Sequence, residues 1–429
     1  MTLSGRYAAA IELLRAIEQD RRPADAVANE YFRERRFIGA GDRRAISDLV
    51  WGVLRAQRRL GWWLERVGAE VSARLLVAAL AVLEGGQPER VQNAFSGGRF
   101  APAPLSDTEA AVLRRLAGHT LDHPEMPDAV RIEVPDWVLP LLATRFGPAL
   151  ESEMRAMLGP APLDLRVNAL RGTREDARTA LEKEGAATEP TSLSPWGLRI
   201  AGRHPVTAGA AFRSGLVEIQ DEGSQCVALL ADARPGLRVA DLCAGAGGKT
   251  LAMAATMANR GQILACDVSA PRLDSMVRRL RRAGVHNVER LVLAPGEKRL
   301  KRLTGRFDRV LVDAPCTGTG TWRRNPDARR RLAESDLTEL IAKQCGILDS
   351  AAKLVRTGGK LIYATCSLLK EENESQVSGF LKRHSGFAVV PVGQVWPAGR
   401  VGADEAFLSL SAAKHGTDGF FAAVLERVA

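Results

Sequence analysis

Leu237-Arg238-Val239-Ala240-Asp241-Leu242-Cys243-Ala244-Gly245-Ala246-Gly247-Gly248-Lys249-Thr250 reads as a buried strand running through a glycine-rich turn into a helix. Glycine permits close backbone approach to a ligand, and a helix N-terminus favours negative charge. The Gly-Lys-Thr ending invites a phosphate-loop reading. That motif requires glycine five residues before Gly248, where Cys243 stands, which argues against a nucleoside triphosphatase. Beyond the turn, residues 262–267, 290–293, 307–313 and 360–365 read as further strands. Helical patterns at 249–258, 271–283 and 337–354 separate them, and 419–425 supplies a last strand. Strands alternating with helices predict a doubly wound, mostly parallel α/β sheet of Rossmann-like type. Ligands of such sheets bind outside the carboxyl ends of the strands. Two cysteines fall there, in Asp313-Ala314-Pro315-Cys316-Thr317-Gly318 and in Tyr363-Ala364-Thr365-Cys366-Ser367.

Upstream the texture differs. Residues 8–17, 45–53 and 71–83 carry apolar residues at three- and four-residue spacing and predict a helical bundle. Pro124, Pro127 and Pro135 punctuate its end. Three domains are expected: an all-α domain over 1–135, a linker helix with a small α/β subdomain over 136–215, and the Rossmann-like domain over 216–429. In the subdomain, 163–167 and 197–200 read as strands around a helix at 174–183.

The 429 residues carry 60 Lys plus Arg against 50 Asp plus Glu, a formal +10 that suits a polyanionic partner. Arg43, Arg44 and Arg55 lie on or beside 49–64 with Trp51, Trp62 and Trp63. Arginines beside aromatics form either an RNA-binding face or a solvated edge of an aromatic core. Arg323-Arg324 and Arg329-Arg330-Arg331 follow the Cys316 motif and are expected to hold substrate backbone at the crevice mouth, whereas 278–282 reads as a solvated helix face. The six cysteines lack metal-ligand spacing and all fall in the C-terminal half, which predicts a cytoplasmic protein without zinc or a disulfide framework. The longest apolar run, 75–83, is far below the ~20 residues that cross a bilayer.

The glycine loop suits NAD or S-adenosylmethionine equally. Asp267, 19 residues after Gly248, stands where a carboxylate accepts hydrogen bonds from ribose hydroxyls. The paired thiols favour the second cofactor. C5 of cytosine is a poor nucleophile until a thiolate attacks C6; the resulting enamine takes a methyl group from a sulfonium donor, and removal of the C5 proton then frees the thiol. A free thiol ionises near ~8.5, so the nucleophile needs a positive or hydrogen-bonding neighbour, for which Lys249 is a candidate.

The stretch from Phe307 to Gly318 is similar to the signature of the Sun (also called Fmu) family of RNA cytosine-5 methyltransferases. Ala364-Thr365-Cys366-Ser367 resembles its second cysteine motif, and Asp241-Leu242-Cys243 with Gly247-Gly248-Lys249 its cofactor loop. Gln220-Asp221-Glu222-Gly223-Ser224 and Asp418-Gly419-Phe420-Phe421 extend the match. Asp42-Arg43-Arg44, the run from Leu49 to Arg55, and Leu165-Arg166-Val167-Asn168 resemble the bacterial branch, in which a NusB-like RNA-binding domain comes first.

The resemblance implies an S-adenosyl-L-methionine-dependent enzyme that methylates a cytosine of 16S rRNA, free or in a small-subunit assembly intermediate, and that acts as a monomer without metal. It implies Cys366 as the nucleophile, Cys316 as the residue assisting release, and Asp313 at the N3/N4 edge of the base. Residues 243–249 (Cys243, Ala244, Gly245, Ala246, Gly247, Gly248 and Lys249) with Asp267 and Asp313 would hold the cofactor. Cys226, Cys243, Cys266 and Cys345 read otherwise as packing residues. The chain departs from the family in two places: its loop lacks the usual proline, and Leu293-Ala294-Pro295-Gly296 lacks the adenine-reading aspartate, for which Glu297 or a backbone carbonyl would substitute. The alternatives are an rRNA-binding assembly factor without catalysis, an enzyme acting on another RNA such as tRNA, and an NAD-dependent dehydrogenase.

Overall fold

A computed structural model describes residues 1–202, 204–294, 298–396 and 405–429. The chain forms two units, Met1–Pro160 with Trp322–Leu332, and Ala161–Thr321 with Ala333–Ala429.

In the first unit the helix Ala73–Leu83 has the sequence ARLLVAALAVL and is buried on nearly every side. A helix apolar all round belongs at the centre of a bundle, and Leu3–Gln19, Ala40–Arg55, Gln57–Arg66 and Asp107–Leu116 pack on it. The Ser72 hydroxyl caps it by accepting from Leu75 N. Trp63 is part of this core and its indole N–H donates to the Thr120 and Leu121 carbonyls. Arg58 and Arg59 are structural too. Buried Glu133, held at φ +57°, accepts both of their backbone N–H groups at 3.0 Å and the Arg59 Nε at 3.1 Å. A buried carboxylate survives only when so paired.

Helices Leu139–Phe146 and Leu150–Ala156, expected in the linker, cluster with this bundle. Arg155 binds Asp122 at 2.8 Å, and Arg329 donates to the Met157 carbonyl at 2.9 Å.

The second unit opens with β1 (Leu163–Val167), β2 (Thr188–Pro190), β3 (Gly197–Ile200) and β4 (Val217–Ile219), an antiparallel sheet in the order β2-β3-β1-β4. Eight strands follow: β5 (Arg238–Asp241), β6 (Gln262–Asp267), β7 (Val288–Val292), β8 (Phe307–Asp313), β9 (Val355–Thr365), β10 (Phe387–Val390), β11 (Leu408–Leu410) and β12 (Phe420–Arg427). Their order is β10-β12-β9-β8-β5-β6-β7, with β11 on β12. β5 to β9 are mutually parallel, and β12 runs antiparallel to β9. The chain steps from β5 outward to β6 and β7, then returns to β8 on the other side of β5. That reversal is the switch point of a doubly wound sheet, where a crevice opens at the strand ends.

Asn168 explains why the small sheet stays attached: its amide donates to Gly215 O and to Ala283 O, both at 2.9 Å. Among the described residues, no helix is long and apolar enough to cross a membrane.

Candidate active site

A cavity of about 900 Å³ lies at the carboxyl ends of β5, β6, β8 and β9. Asp241, Asp267, Asp313, Lys249, Cys316 and Cys366 all line it, with Cys243, Ala244, Gly245, Ala246 and Gly248. Gly247 does not. It takes φ +84° just before the helix Gly248–Thr256, and a Cβ there would stand 2.6 Å from Met276 Cγ. Glycine is required for this turn and packing.

The turn is braced from outside in ways the sequence did not announce. Arg166 on β1 donates to Gly248 O at 2.6 Å, and Arg279 donates to Ala246 O at 2.8 Å. Arg279 and Arg282 also bind the buried Glu218 carboxylate, and Arg282 stacks 3.9 Å from the Phe212 ring. These two arginines of 278–282 are therefore not the solvated face expected; a buried acid on β4 recruits them.

Asp241 is fully buried, and its Oδ2 accepts the Thr250 hydroxyl at 2.7 Å. Its Oδ1 is buried without a hydrogen-bond partner. Burial raises the Asp241 carboxyl to about 7, against the Thr250 hydrogen bond and with help from Asp313. Asp267 accepts Gly245 N and Ser269 N, each at 2.8 Å, which ties the end of β6 to the glycine turn. Each of its oxygens keeps a further lone pair. Val268, 79% exposed, lines the same cavity with Leu293, Leu300 and Ile347, an apolar wall beyond Asp267. Glu297, expected to compensate for Ala294, lies outside the described residues.

The two sulfurs, Cys316 Sγ and Cys366 Sγ, are 3.4 Å apart. The Cys316 thiol is pushed well above its ordinary value by its hydrogen bond with Cys366, by burial, and by the charges of Cys366 and Glu372. Cys316 therefore keeps its proton. Lys249 Nζ binds Asp313 Oδ2 at 2.5 Å and sits 5.4 Å from the Phe420 ring centroid. Burial works against its charge, but Asp313, Cys366 and Asp241 outweigh burial and raise the ammonium above its usual range.

The segment after Cys316 turns at Gly318–Thr321, where Gly320 N donates to Cys366 O and Gly419 N to Gly320 O. A Cβ at Gly320 would overlap the Gly419 backbone. Gly320→Ala is expected to destabilise the protein by about 2 kcal/mol or more, seen as a lowered thermal midpoint; an unchanged midpoint would mean the two turns can part.

Other expected residues lie elsewhere. Arg43, Arg44, Arg55, Arg323 and Arg324 all belong to the helical unit. Arg323 is buried there, as is Arg329. Buried guanidiniums cannot serve as the phosphate holders at the crevice mouth that charge alone suggested. Arg44 is exposed. Arg43 donates to Ile38 O and lines a basic groove with Phe32, Arg33 and Arg36. Cys226 and Cys266 are fully buried packing residues, while Cys345 is half-buried near Asp349. Among the described residues, no group of His, Cys, Asp or Glu could hold a metal ion.

Residues 228–426 match the family described as 16S rRNA methyltransferase RsmB/F, and residues 134–207 match a methyltransferase RsmF/B-like, ferredoxin-like domain. The chain is 31% identical over 417 residues to the probable ribosomal RNA small subunit methyltransferase B of Synechocystis, covering 90% of this chain and 91% of that one. It is 30% identical over 428 residues to the ribosomal RNA small subunit methyltransferase B of Escherichia coli O6:K15:H31, covering 96% of each. The crystal structure of PH0851 superposes with a TM-score of 0.80 at 27% identity over 99% of each chain. A methyltransferase homolog from Pyrococcus horikoshii gives 0.61 at 28% identity, covering 70% of this chain and 97% of that one.

The cofactor is S-adenosyl-L-methionine, and the crevice fits it. The orphaned Asp241 oxygen suits the ammonium, Asp267 the ribose, and the wall of Val268, Leu293, Leu300 and Ile347 the adenine. With its loop, its paired thiols and most of its length matched, the chain belongs to the 16S rRNA methyltransferase RsmB/F family.

Proposed function

We propose that the protein methylates C5 of one cytosine in 16S rRNA through a covalent bond between Cys366 and C6. The observation that carries this reading is the pair of thiols 3.4 Å apart in the crevice that also holds Asp241 and Asp267. A transfer to nitrogen or ribose oxygen needs no sulfur nucleophile, and a dehydrogenase leaves both thiols without a task.

Asp313 faces the crevice from the end of β8 and accepts a hydrogen bond from the cytosine N4 amine, with Lys249 fixing its carboxylate. The Cys366 thiol proton passes to N3 as Sγ adds to C6, and the C5–C6 π pair moves into C4–C5 to leave an enamine that is nucleophilic at C5. Bound S-adenosylmethionine supplies the methyl group as an electrophile at C5. Release then needs three proton movements, one of which returns the N3 proton to solvent. The C5 proton passes to Cys316, whose own proton passes to the departing Cys366 sulfur, so that the C6–S bond breaks and both thiols are regenerated. A thiol that keeps its proton next to the leaving sulfur is suited to that relay. Reaching C5 and C6 requires an unstacked base. The groove of Arg33, Arg36 and Arg43, with exposed Phe37 and Arg44 close by in sequence, supplies cations and a ring for RNA in the helical unit.

The test is incubation with labelled S-adenosylmethionine and unmodified 16S rRNA, followed by nucleoside mass spectrometry and mapping. A single 5-methylcytosine is expected. Methyl groups on another atom would refute the C5 assignment, and cofactor binding without transfer to naked rRNA would direct the test to assembly intermediates or tRNA.

Cys316→Ala is expected to trap the RNA on the protein, visible as a slow band on a denaturing gel, because the relay is broken after the bond to C6 has formed. The same gel run with Cys366→Ala should show no band. A band with the second variant alone would exchange the two roles.

A further inference from the structure

We propose that Glu372 and Asn373 are positioning residues that hold the two cysteine turns separately, Glu372 serving release through Cys316 and Asn373 serving attack through Cys366. The assignment rests on the C6-adduct reading above. Both side chains are fully buried and touch neither sulfur by hydrogen bond.

Glu372 grips the Cys316 turn. Its Oε1 accepts Thr317 N at 2.9 Å and its Oε2 accepts the Thr317 hydroxyl at 2.5 Å. Gln344 reinforces the grip, with Nε2 donating to Glu372 Oε1 and to Pro315 O, both at 2.9 Å. The backbone on each side of Cys316 is thus fixed to one carboxylate. Asn373 grips the other turn in the same fashion. Its Oδ1 accepts the Thr365 hydroxyl at 2.5 Å, and its Nδ2 donates to Ser367 O at 2.9 Å. The residues before and after Cys366 are both held.

Because the two gripping residues are neighbours in the chain, one peptide unit ties the turns together, beside the direct bonds from Gly320 N to Cys366 O and between the Thr317 and Ser367 hydroxyls. That unit is itself anchored, since the Tyr363 hydroxyl, buried on β9, donates to Glu372 O at 2.6 Å. A neutral side chain would serve a purely structural brace. A carboxylate accepts three hydrogen bonds here and in addition places a negative charge near Cys316, which favours the protonated thiol that the relay uses.

The division of labour gives the test its form. Full-length Glu372→Ala, Asn373→Ala, Glu372→Gln and Asn373→Asp are compared with wild type and with Cys316→Ala on cytosine-containing 16S rRNA and S-adenosylmethionine. Adduct formation and adduct decay are timed on denaturing gels, and thermal midpoints are recorded beside them. Glu372→Ala should accumulate adduct as Cys316→Ala does, with decay slowed about 100-fold, the scale of a misplaced reacting group. Asn373→Ala should slow adduct formation about 100-fold and accumulate nothing. The amide and acid replacements keep one hydrogen-bonding atom each and should recover to within about tenfold of wild type, which keeps the comparison available if the alanine variants do not fold.

Equal slowing of both steps in all variants, or no slowing in any, would overturn the proposal while Cys316→Ala still traps RNA. If Cys316→Ala itself forms no adduct, the underlying chemical reading is what has failed, and the assigned roles fall with it.

Discussion

Cys366→Ala is expected to lower methyl transfer about 10⁴-fold or more, the scale seen when a nucleophile is removed from a covalent mechanism, and to leave cofactor affinity nearly unchanged. The loss is not rescued by the sulfur next door. Cys316 holds its proton, and its strongest reason for doing so is the hydrogen bond with Cys366. Deleting Cys366 removes that reason and frees Cys316 to ionise more readily, but from a turn pinned by Thr317 and Pro315 rather than from the end of β9. The expected residue of activity is therefore small and disappears in the double variant Cys316→Ala/Cys366→Ala. Single-turnover transfer to saturating rRNA measures it. Activity within tenfold of wild type would end the covalent reading.

Asp241→Asn is expected to abolish cofactor binding while making the unliganded protein more stable at neutral pH and above. The carboxyl titrates near 7 in the fold because it is buried with one oxygen unpaired. Its folded value lies above the unfolded one, so the stability it contributes is complete below pH ~4 and is lost as pH rises through about 7. Asparagine carries no such loss. The difference in thermal midpoint between variant and wild type should thus grow from pH 5 to pH 8 and then level off.

In wild type, a cofactor ammonium paired with the ionised form would reverse the balance. Affinity for S-adenosylmethionine should weaken about tenfold per unit as pH falls below 7. Calorimetry across that range measures both trends. Flat affinity with pH, or wild-type affinity in the variant, would place the ammonium somewhere other than Asp241.

The elements that build the crevice were legible because burial leaves them little freedom. β6 and β8 have the limits their apolar runs predict, and the glycine turn sits between strand and helix as its spacing requires. β10 and β11 went unread, since Phe387–Val390 and Leu408–Leu410 are short and gain their pairing only from β12. Charge was the least readable quantity. Arg59, Arg279, Arg282 and Arg323 look like a basic surface in sequence, yet a buried acid on a distant element, Glu133 or Glu218, captures the guanidiniums of the first three, and Arg323 is buried. Glu371-Glu372-Asn373-Glu374 went unread in the sequence. Only the fold turns its second and third members inward, onto Thr317, Thr365 and Ser367.

Residues Trp322–Leu332 complete the helical unit although 161 residues separate them from Pro160 (321 minus 160). During synthesis the bundle must therefore wait. Its first 160 residues can emerge and collapse, but Arg329 reaches Met157, and Asp327 reaches the backbone of Ala24, only after most of the sheet-bearing unit has also been made. At about 5–20 residues per second that delay is on the order of ten to thirty seconds, during which the surface reserved for the returning segment stays open. A fragment cut at residue 160 would keep that surface open permanently, so the helical unit is not a part that can be lifted out of this chain by a single cut.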